Sequence, residues 1–186
     1  MIYHTKMQEN IKAIFFNETL RRWHFEDIVR ESKASRERVN HFLKKLVREK
    51  FIIKVKPTKK MPYYLANRDY PEFRSEKRIY GLKLLEQIGL FNHLNLLNDI
   101  KTAILFGSFV RGDWNKSSDI DLFIYGDTKY FEKGKLEAKI KREIQVFDYQ
   151  EPKKIKKELD PNLIQNIIKG FNIKGGLEPF EVVLNA

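Results

Sequence analysis

One stretch, from Ala103 to Tyr125, limits what this chain can be. An apolar run ends in Gly107-Ser108, ten residues intervene, and Asp119 and Asp121 then open a second apolar run. Glycine at 107 lets the backbone turn sharply and lets a bulky anion approach the main chain. If a helix starts at Ser108, its free N–H groups and the hydroxyl form a seat for phosphate oxygens. On a strand, residues i and i+2 share a face, so Asp119 and Asp121 project together while Ile120 and Leu122 turn the other way. Two carboxylates beside a phosphate seat suit Mg²⁺, which binds through one or two carboxylates plus substrate phosphates. The competing reading is a plain strand–turn–strand with surface aspartates. Against it, Asp is depleted in strands, and two like charges on one face repel without a cation.

These residues resemble the motif of the DNA polymerase beta-like nucleotidyltransferase superfamily: Gly-Ser, a spacer, then Asp-x-Asp. Arg111-Gly112 and Ser118 make the string look most like the small prokaryotic minimal-nucleotidyltransferase branch, although Val110 stands where that branch typically has Ala. The resemblance spans roughly Ile100 to the C-terminus. It implies that Asp119 and Asp121 are catalytic and hold Mg²⁺ (or Mn²⁺) against an NTP, with ATP the first choice. It also implies that Gly107, Ser108 and Arg111 bind the nucleotide. For Arg111 a purely structural bond, to Asp113 or near Asp121, is an equal alternative.

The superfamily normally draws a third acidic residue from the following strand, in an apolar–Asp–apolar–apolar setting. The matching tetrad here is Ile144-Gln145-Val146-Phe147. A neutral amide can ligate through its oxygen but adds no charge and is no base. Glu143 shares the face of Gln145 and is the preferred substitute. Asp148 has the opposite parity and would need a bulge. The third alternative is that catalysis is lost and nucleotide binding remains. Trp114, between the two motif halves, either stacks on a base or packs beneath the loop, the second being favoured.

The charge balance adds a second theme. Residues 1–70 carry 17 Lys and Arg against 8 Asp and Glu, whereas the remaining 116 carry 19 against 17. A basic third joined to a near-neutral remainder suggests a polyanion-binding module. There is no Cys, which excludes disulfides and thiolate metal sites. The apolar runs are too short for a membrane span, and no signal pattern opens the chain, so a cytoplasmic location without membrane association is expected. His4, His24, His41 and His93 show no ligand spacing and are expected at the surface or in packing.

In the basic third, helical periodicity covers Lys6 to Phe16 and Phe25 to Ser32. Ser35 looks like the N-cap of a third helix reaching Lys50, with Val39, Phe42, Leu43 and Leu46 inward. Two β-prone runs flank Lys59-Lys60 and predict a hairpin. The order, from Phe25 to Asn67, is similar to the winged helix-turn-helix DNA-binding domains of prokaryotic regulators. That similarity implies that the third helix enters the major groove of duplex DNA. Ser35, Arg36, Arg38, Asn40 and Lys44 would face the DNA, and Lys56, Lys59 and Lys60 would lie along its backbone. Reuse of the module for protein contacts is the alternative.

The expected fold is α+β, in three parts. These are a winged helix-turn-helix over 1–68, a helical connector over 69–99 broken at Gly89, and a nucleotidyltransferase domain with a mixed sheet and helices over 100–186. The connector's apolar stripe serves either core packing or a homodimer. In the last part, Pro161–Lys169 reads as a helix stopped by Gly170, and the Lys153–Lys157 cluster as a solvated helix face. Two functions compete: a Mg²⁺-dependent transferase acting on a protein or tRNA hydroxyl, and a DNA-binding regulator or antitoxin that only binds nucleotide. The minimal branch often works with a helical toxin-like partner, so such a partner is a natural extension of the resemblance.

Overall fold

A computed structural model describes residues 2–180, with side chains from Lys6 to Phe180, and places them in two compact units, 1–77 and 78–186. The connector expected over 69–99 is divided between them, and His4 lies outside the described side chains.

The first unit begins with α1 (Ile2–Asn17), which starts earlier than its periodicity indicated, followed by α2 (Phe25–Ser32) and α3 (Arg36–Arg48). Ser35 caps α3, its hydroxyl accepting from the Arg38 N–H at 3.5 Å. That cap satisfies a donor the first helical turn leaves orphaned. Val39, Phe42, Leu43 and Leu46 are all buried, as their spacing requires. Strands β1 (Ile52–Val55) and β2 (Tyr63–Ala66) form the antiparallel hairpin. Trp23 adds a rung through paired backbone bonds with Tyr64 at 3.0 and 2.8 Å. Phe51 and Phe73 pack on Phe16 at ring separations of 5.3–5.7 Å and on each other at 4.9 Å. Each such buried ring contributes about 1.5–3 kcal/mol.

Helix α4 (Pro71–Gln87) starts in the first unit and ends in the second. Gly89, at φ 86°, separates it from α5 (Leu90–Leu96) where the sequence signalled a break. The sheet follows: β3 (Ile100–Phe106), α6 (Ser108–Arg111), β4 (Ile120–Gly126), α7 (Lys133–Ile140), β5 (Ile144–Tyr149), α8 (Pro152–Glu158), α9 (Pro161–Ile168) and β6 (Phe171–Lys174). Its order is β5-β4-β3-β6, with β3 antiparallel to both neighbours and β4 parallel to β5. The α7 crossover is what a parallel pair needs. The expected mixed sheet with packed helices is therefore present.

Central β3 is buried at six of seven positions, which explains its nearly unbroken apolar run. On one face Ile104, Phe106 and Phe123 meet Ile155 and Leu159 of the α8 segment, Ile164 and Ile167 of α9, and Phe180. Helix α8 turns Lys153, Lys154, Lys156 and Lys157 outward, the solvated face its pattern indicated.

Helix α9 ends at Ile168 with Lys169 as its C-cap, so the chain leaves the helix at Gly170 as expected, although not through a left-handed glycine. A Cβ there would meet Ile104 Cγ2 and the Leu105 carbonyl oxygen at 2.5 Å. Close passage over β3 is the reason for the glycine. Lys174, on β6, donates to the Leu97 and Asn95 carbonyls at 2.6 and 3.2 Å and so closes the C-terminal end of α5.

Candidate functional site

The turn from β3 into α6 is made by Gly107 at φ 71°, ψ −147°, a conformation close to the region that only glycine occupies readily. Antiparallel register sets Asp121 opposite Phe106, one residue before that corner. The result is close contact: a Cβ on Gly107 would lie 2.0 Å from Asp121 Oδ2. The glycine leaves the space that the carboxylate fills.

Asp119 sits in the exposed residue before β4, and Ile120 between the two aspartates is fully buried. The Ile120 N–H donates to the Glu143 carbonyl at 2.9 Å, fixing the strand start. Burial raises the Asp121 pKa above its ordinary 3.8, the Asp119 charge raises it further, and Arg111 partly offsets both. All three sequence-derived side chains thus act on one place. Two mutually repelling carboxylates, one half-buried, form a donor set that a hard divalent cation would relieve, so the residues fit Mg²⁺ or Mn²⁺.

The raised pKa has a consequence for stability. A carboxyl whose folded pKa exceeds its unfolded value is penalised when ionised, so the folded state binds more protons within that interval. Wild type should therefore lose stability, relative to Asp121→Asn, as pH rises from about 3.8 through the folded pKa. Melting curves without metal at several pH values should show Asp121→Asn higher by a few degrees at neutral pH. The gap should close in acid. A gap that widens in acid would overturn this reading.

Arg111 donates to Asp113 Oδ2 at 3.0 Å, with both side chains about half exposed. The alternative Asp113 bond is therefore formed. An exposed pair of this kind is worth only about 0–1 kcal/mol, which leaves the guanidinium available to a phosphate. Ser108 opens α6, half-buried, and its carbonyl accepts from Gly112 and Asp113 at 2.9 and 3.2 Å.

Gln145 is the parallel partner of Asp121, so the amide occupies the neighbouring same-face position on β5. Glu143 precedes the strand, with its side chain exposed. Asp148 pairs with Ile124 further along, away from the corner, and accepts from Thr128 Oγ1 at 3.0 Å. Among the described residues no group of three His, Cys, Asp or Glu is placed to hold one ion. Glu143 is thus not brought into a cage with the aspartate pair. His93 Nε2 accepts from the Glu132 N–H at 3.0 Å and His24 Nδ1 lies 3.0 Å from the Pro62 carbonyl, so both are engaged in packing.

Trp114 is fully buried and lies flat on Phe109, with centroids 5.1 Å apart and planes at 8°. Packing beneath the loop, not base stacking, is its role. Over both rings lies the Arg142 guanidinium, at 5.4 and 5.2 Å. It donates to the Asn115 and Ser118 carbonyls at 2.6 and 2.9 Å. Sequence reasoning missed Arg142, since its partners lie 24 and 27 positions back and no local pattern marks them.

On the first unit, Arg38, Asn40 and Lys44 stand exposed on α3, and Lys56, Lys59 and Lys60 on the hairpin connection. Ser35 is occupied as a cap. Arg36 pairs with Glu26 at 2.5 Å and lies over Phe25. Their basic charge shares one helix and one turn, with Arg36 partly neutralised.

Comparison with known proteins places the second half. Residues 90–173 match the family described as "Polymerase beta, Nucleotidyltransferase", a span that includes Gly107, Ser108, Asp119, Asp121, Arg142 and Gln145. A Methanocaldococcus jannaschii protein named "Putative protein adenylyltransferase" is 55% identical over 31 residues, 17% of this chain and 31% of that protein. The match thus spans about a third of the relative's length. A solved structure described as "Crystal structure of the toxin-antitoxin with AMP-PNP" covers 57% of this chain and 78% of its own, with 19% identity and a TM-score of 0.34. That likeness is too distant to bear on function. No helix among the described residues is long and apolar enough to cross a membrane. The family match and the short, high-identity relative support membership of residues 90–173 in the nucleotidyltransferase superfamily.

Proposed function

We propose that the chain is a nucleotidyltransferase moving a nucleoside monophosphate from an NTP, ATP foremost, to an acceptor hydroxyl on a protein or tRNA. One observation carries the reading: the Asp121 carboxylate is packed into the glycine corner, beside Asp119 and within the field of Arg111. Asp119 and Asp121 would hold Mg²⁺ or Mn²⁺, whose charge would stabilise the attacking acceptor oxygen and the departing phosphate oxygen. Ser108 and the neighbouring N–H groups would grip the outer phosphates. Arg111 would exchange Asp113 for the charge gathering on the departing pyrophosphate. The acceptor oxygen bonds to the α-phosphorus as the bond to pyrophosphate breaks, and Glu143, in the exposed position just before β5, would take the acceptor's proton. Incubation with α-labelled NTP, Mg²⁺ or Mn²⁺ and cell lysate tests this. Label should appear on protein or RNA, and its absence with every NTP would remove the enzymatic reading.

Gln145 in register with Asp121 favours a second reading, a regulator or antitoxin whose domain binds nucleotide and transfers it slowly or not at all. Tight Mn²⁺–ATP binding without labelling would select it.

Under either reading we assign the first unit to duplex DNA as a winged helix, with Arg38, Asn40, Lys44, Lys59 and Lys60 at the phosphates and base edges and Ser35 and Arg36 at the helix start. The support is the exposed basic face of α3 and the Lys-bearing hairpin turn. A salt titration of the full chain on duplex DNA should show affinity falling with log[salt]. Lys44→Ala or Lys59→Ala should each reduce that slope by about 1. Absence of binding at low salt would leave protein contacts as the module's use. A helical toxin-like partner and a homodimer belong to the same proposal. Light scattering at micromolar concentration, on the chain alone and co-expressed with a helical toxin-like protein, tests both.

A further inference from the structure

We infer that Arg142 is the positioning residue of the metal site, the side chain that holds the Asp119-bearing loop against the glycine corner. The inference rests on the proposed reading of Asp119 and Asp121 as metal ligands. Residues 115–118 already form a closed turn. The Asn115 N–H donates to Ser118 Oγ at 2.9 Å, the Ser117 N–H to Asn115 Oδ1 at 2.9 Å, and the Ser118 N–H to the Asn115 carbonyl at 3.1 Å. Such a turn is rigid within itself, and Arg142 ties its two ends to the approach to β5. One Nη1 reaches the carbonyls of both Asn115 and Ser118, and Ser118 is the residue immediately before Asp119.

The same guanidinium lies over Phe109, the second residue of α6, and over Trp114, at the head of the loop. One planar cation therefore touches both arms of the motif: the corner side through Phe109 and the carboxylate side through Ser118. Arg142 itself sits immediately before Glu143, whose carbonyl anchors Ile120. Both edges of Asp119 are thus held by consecutive residues of the β5 approach. Lysine cannot reproduce this, because it lacks the planar face that stacks on rings and the fixed fork of donors. Its ammonium can still fill the charge.

The test uses the full-length protein with Mn²⁺ and ATP as probes. Arg142→Lys and Arg142→Met are compared with wild type and with Lys174→Met, whose loss at the end of α5 affects stability away from the site. Free Mn²⁺ by electron paramagnetic resonance gives metal affinity in the presence of ATP, and hydrogen exchange reports on residues 115–119. Arg142→Lys should remain folded, exchange faster over 115–119 and bind Mn²⁺ about tenfold more weakly, the lower end for loss of a partner that orients ligands. Arg142→Met should be weaker still. Lys174→Met should lower the Tm with Mn²⁺ affinity unchanged. Folded Arg142 variants with wild-type Mn²⁺ affinity would overturn the inference, as would a Lys174→Met loss equal to theirs. Wild type that binds no Mn²⁺–ATP would instead remove the metal-site reading, and this proposal with it.

Discussion

The double variant Asp119→Asn/Asp121→Asn is expected to lose nucleotidyl transfer by at least about a thousandfold, since a bound metal supplies several kcal/mol of charge stabilisation and each 1.4 kcal/mol is tenfold. Shape is nearly unchanged by Asp→Asn, so the loss isolates charge and ligation. Stability should move the other way. Burial and mutual repulsion both oppose ionisation of Asp121 in the folded state, so the variant without ligand should melt above wild type. Adding Mn²⁺–ATP should then invert the order. A ligand at a hundred times its Kd stabilises the folded state by about 2.7 kcal/mol, and only wild type has the site. Differential scanning with and without ligand reads both signs in one experiment. Wild-type transfer by the double variant, or an equal ligand-induced shift in both proteins, would sink the assignment of the aspartate pair.

The carboxylate pair and the corner were legible because their geometry is nearly local. A turn glycine, a helix start and two residues of one parity can be read from spacing alone. The position of Gln145 follows from the resemblance, whose third acid sits in an apolar–Asp–apolar–apolar tetrad, and the parallel pairing of β5 with β4 sets that residue beside Asp121. What spacing could not reveal is contact across the sheet. Gly170 looks like a helix stop because it follows a helix, yet its need for room comes from Ile104 and Leu105 on a strand far back in the chain. Arg142 looks like any surface cation beside Lys141. Its significance lies in two carbonyls and two rings supplied by the loop before β4. Arg36 was read from helical position alone, and its partner Glu26 belongs to the preceding helix. Periodicity places a residue on a face and says nothing of what meets that face.

Gly107→Ala should be the most damaging single change outside the carboxylates, for two separable reasons. The first is backbone conformation. At φ 71°, ψ −147° an alanine is held where few non-glycine residues go, at a cost of about 1–3 kcal/mol. The second is steric. The new methyl would stand 2.0 Å from Asp121 Oδ2 and 2.9 Å from its Cγ, so the carboxylate must leave its place and Mn²⁺–ATP binding should fail. A double-mutant cycle separates the two. Asp121→Ala removes Oδ2 and Cγ and leaves only Cβ, at 3.3 Å, so Gly107→Ala should cost less stability in that background by about 1–3 kcal/mol of coupling. The conformational part remains in both backgrounds. Gly134→Ala is the control: it lies in α7 with nothing within 4 Å of its Cβ position, and should stabilise by up to about 1 kcal/mol. Chemical denaturation of the four proteins measures the coupling. A value near zero, or Mn²⁺–ATP binding that survives in Gly107→Ala, would mean that the glycine serves the turn alone and that the corner and the carboxylate are not one site.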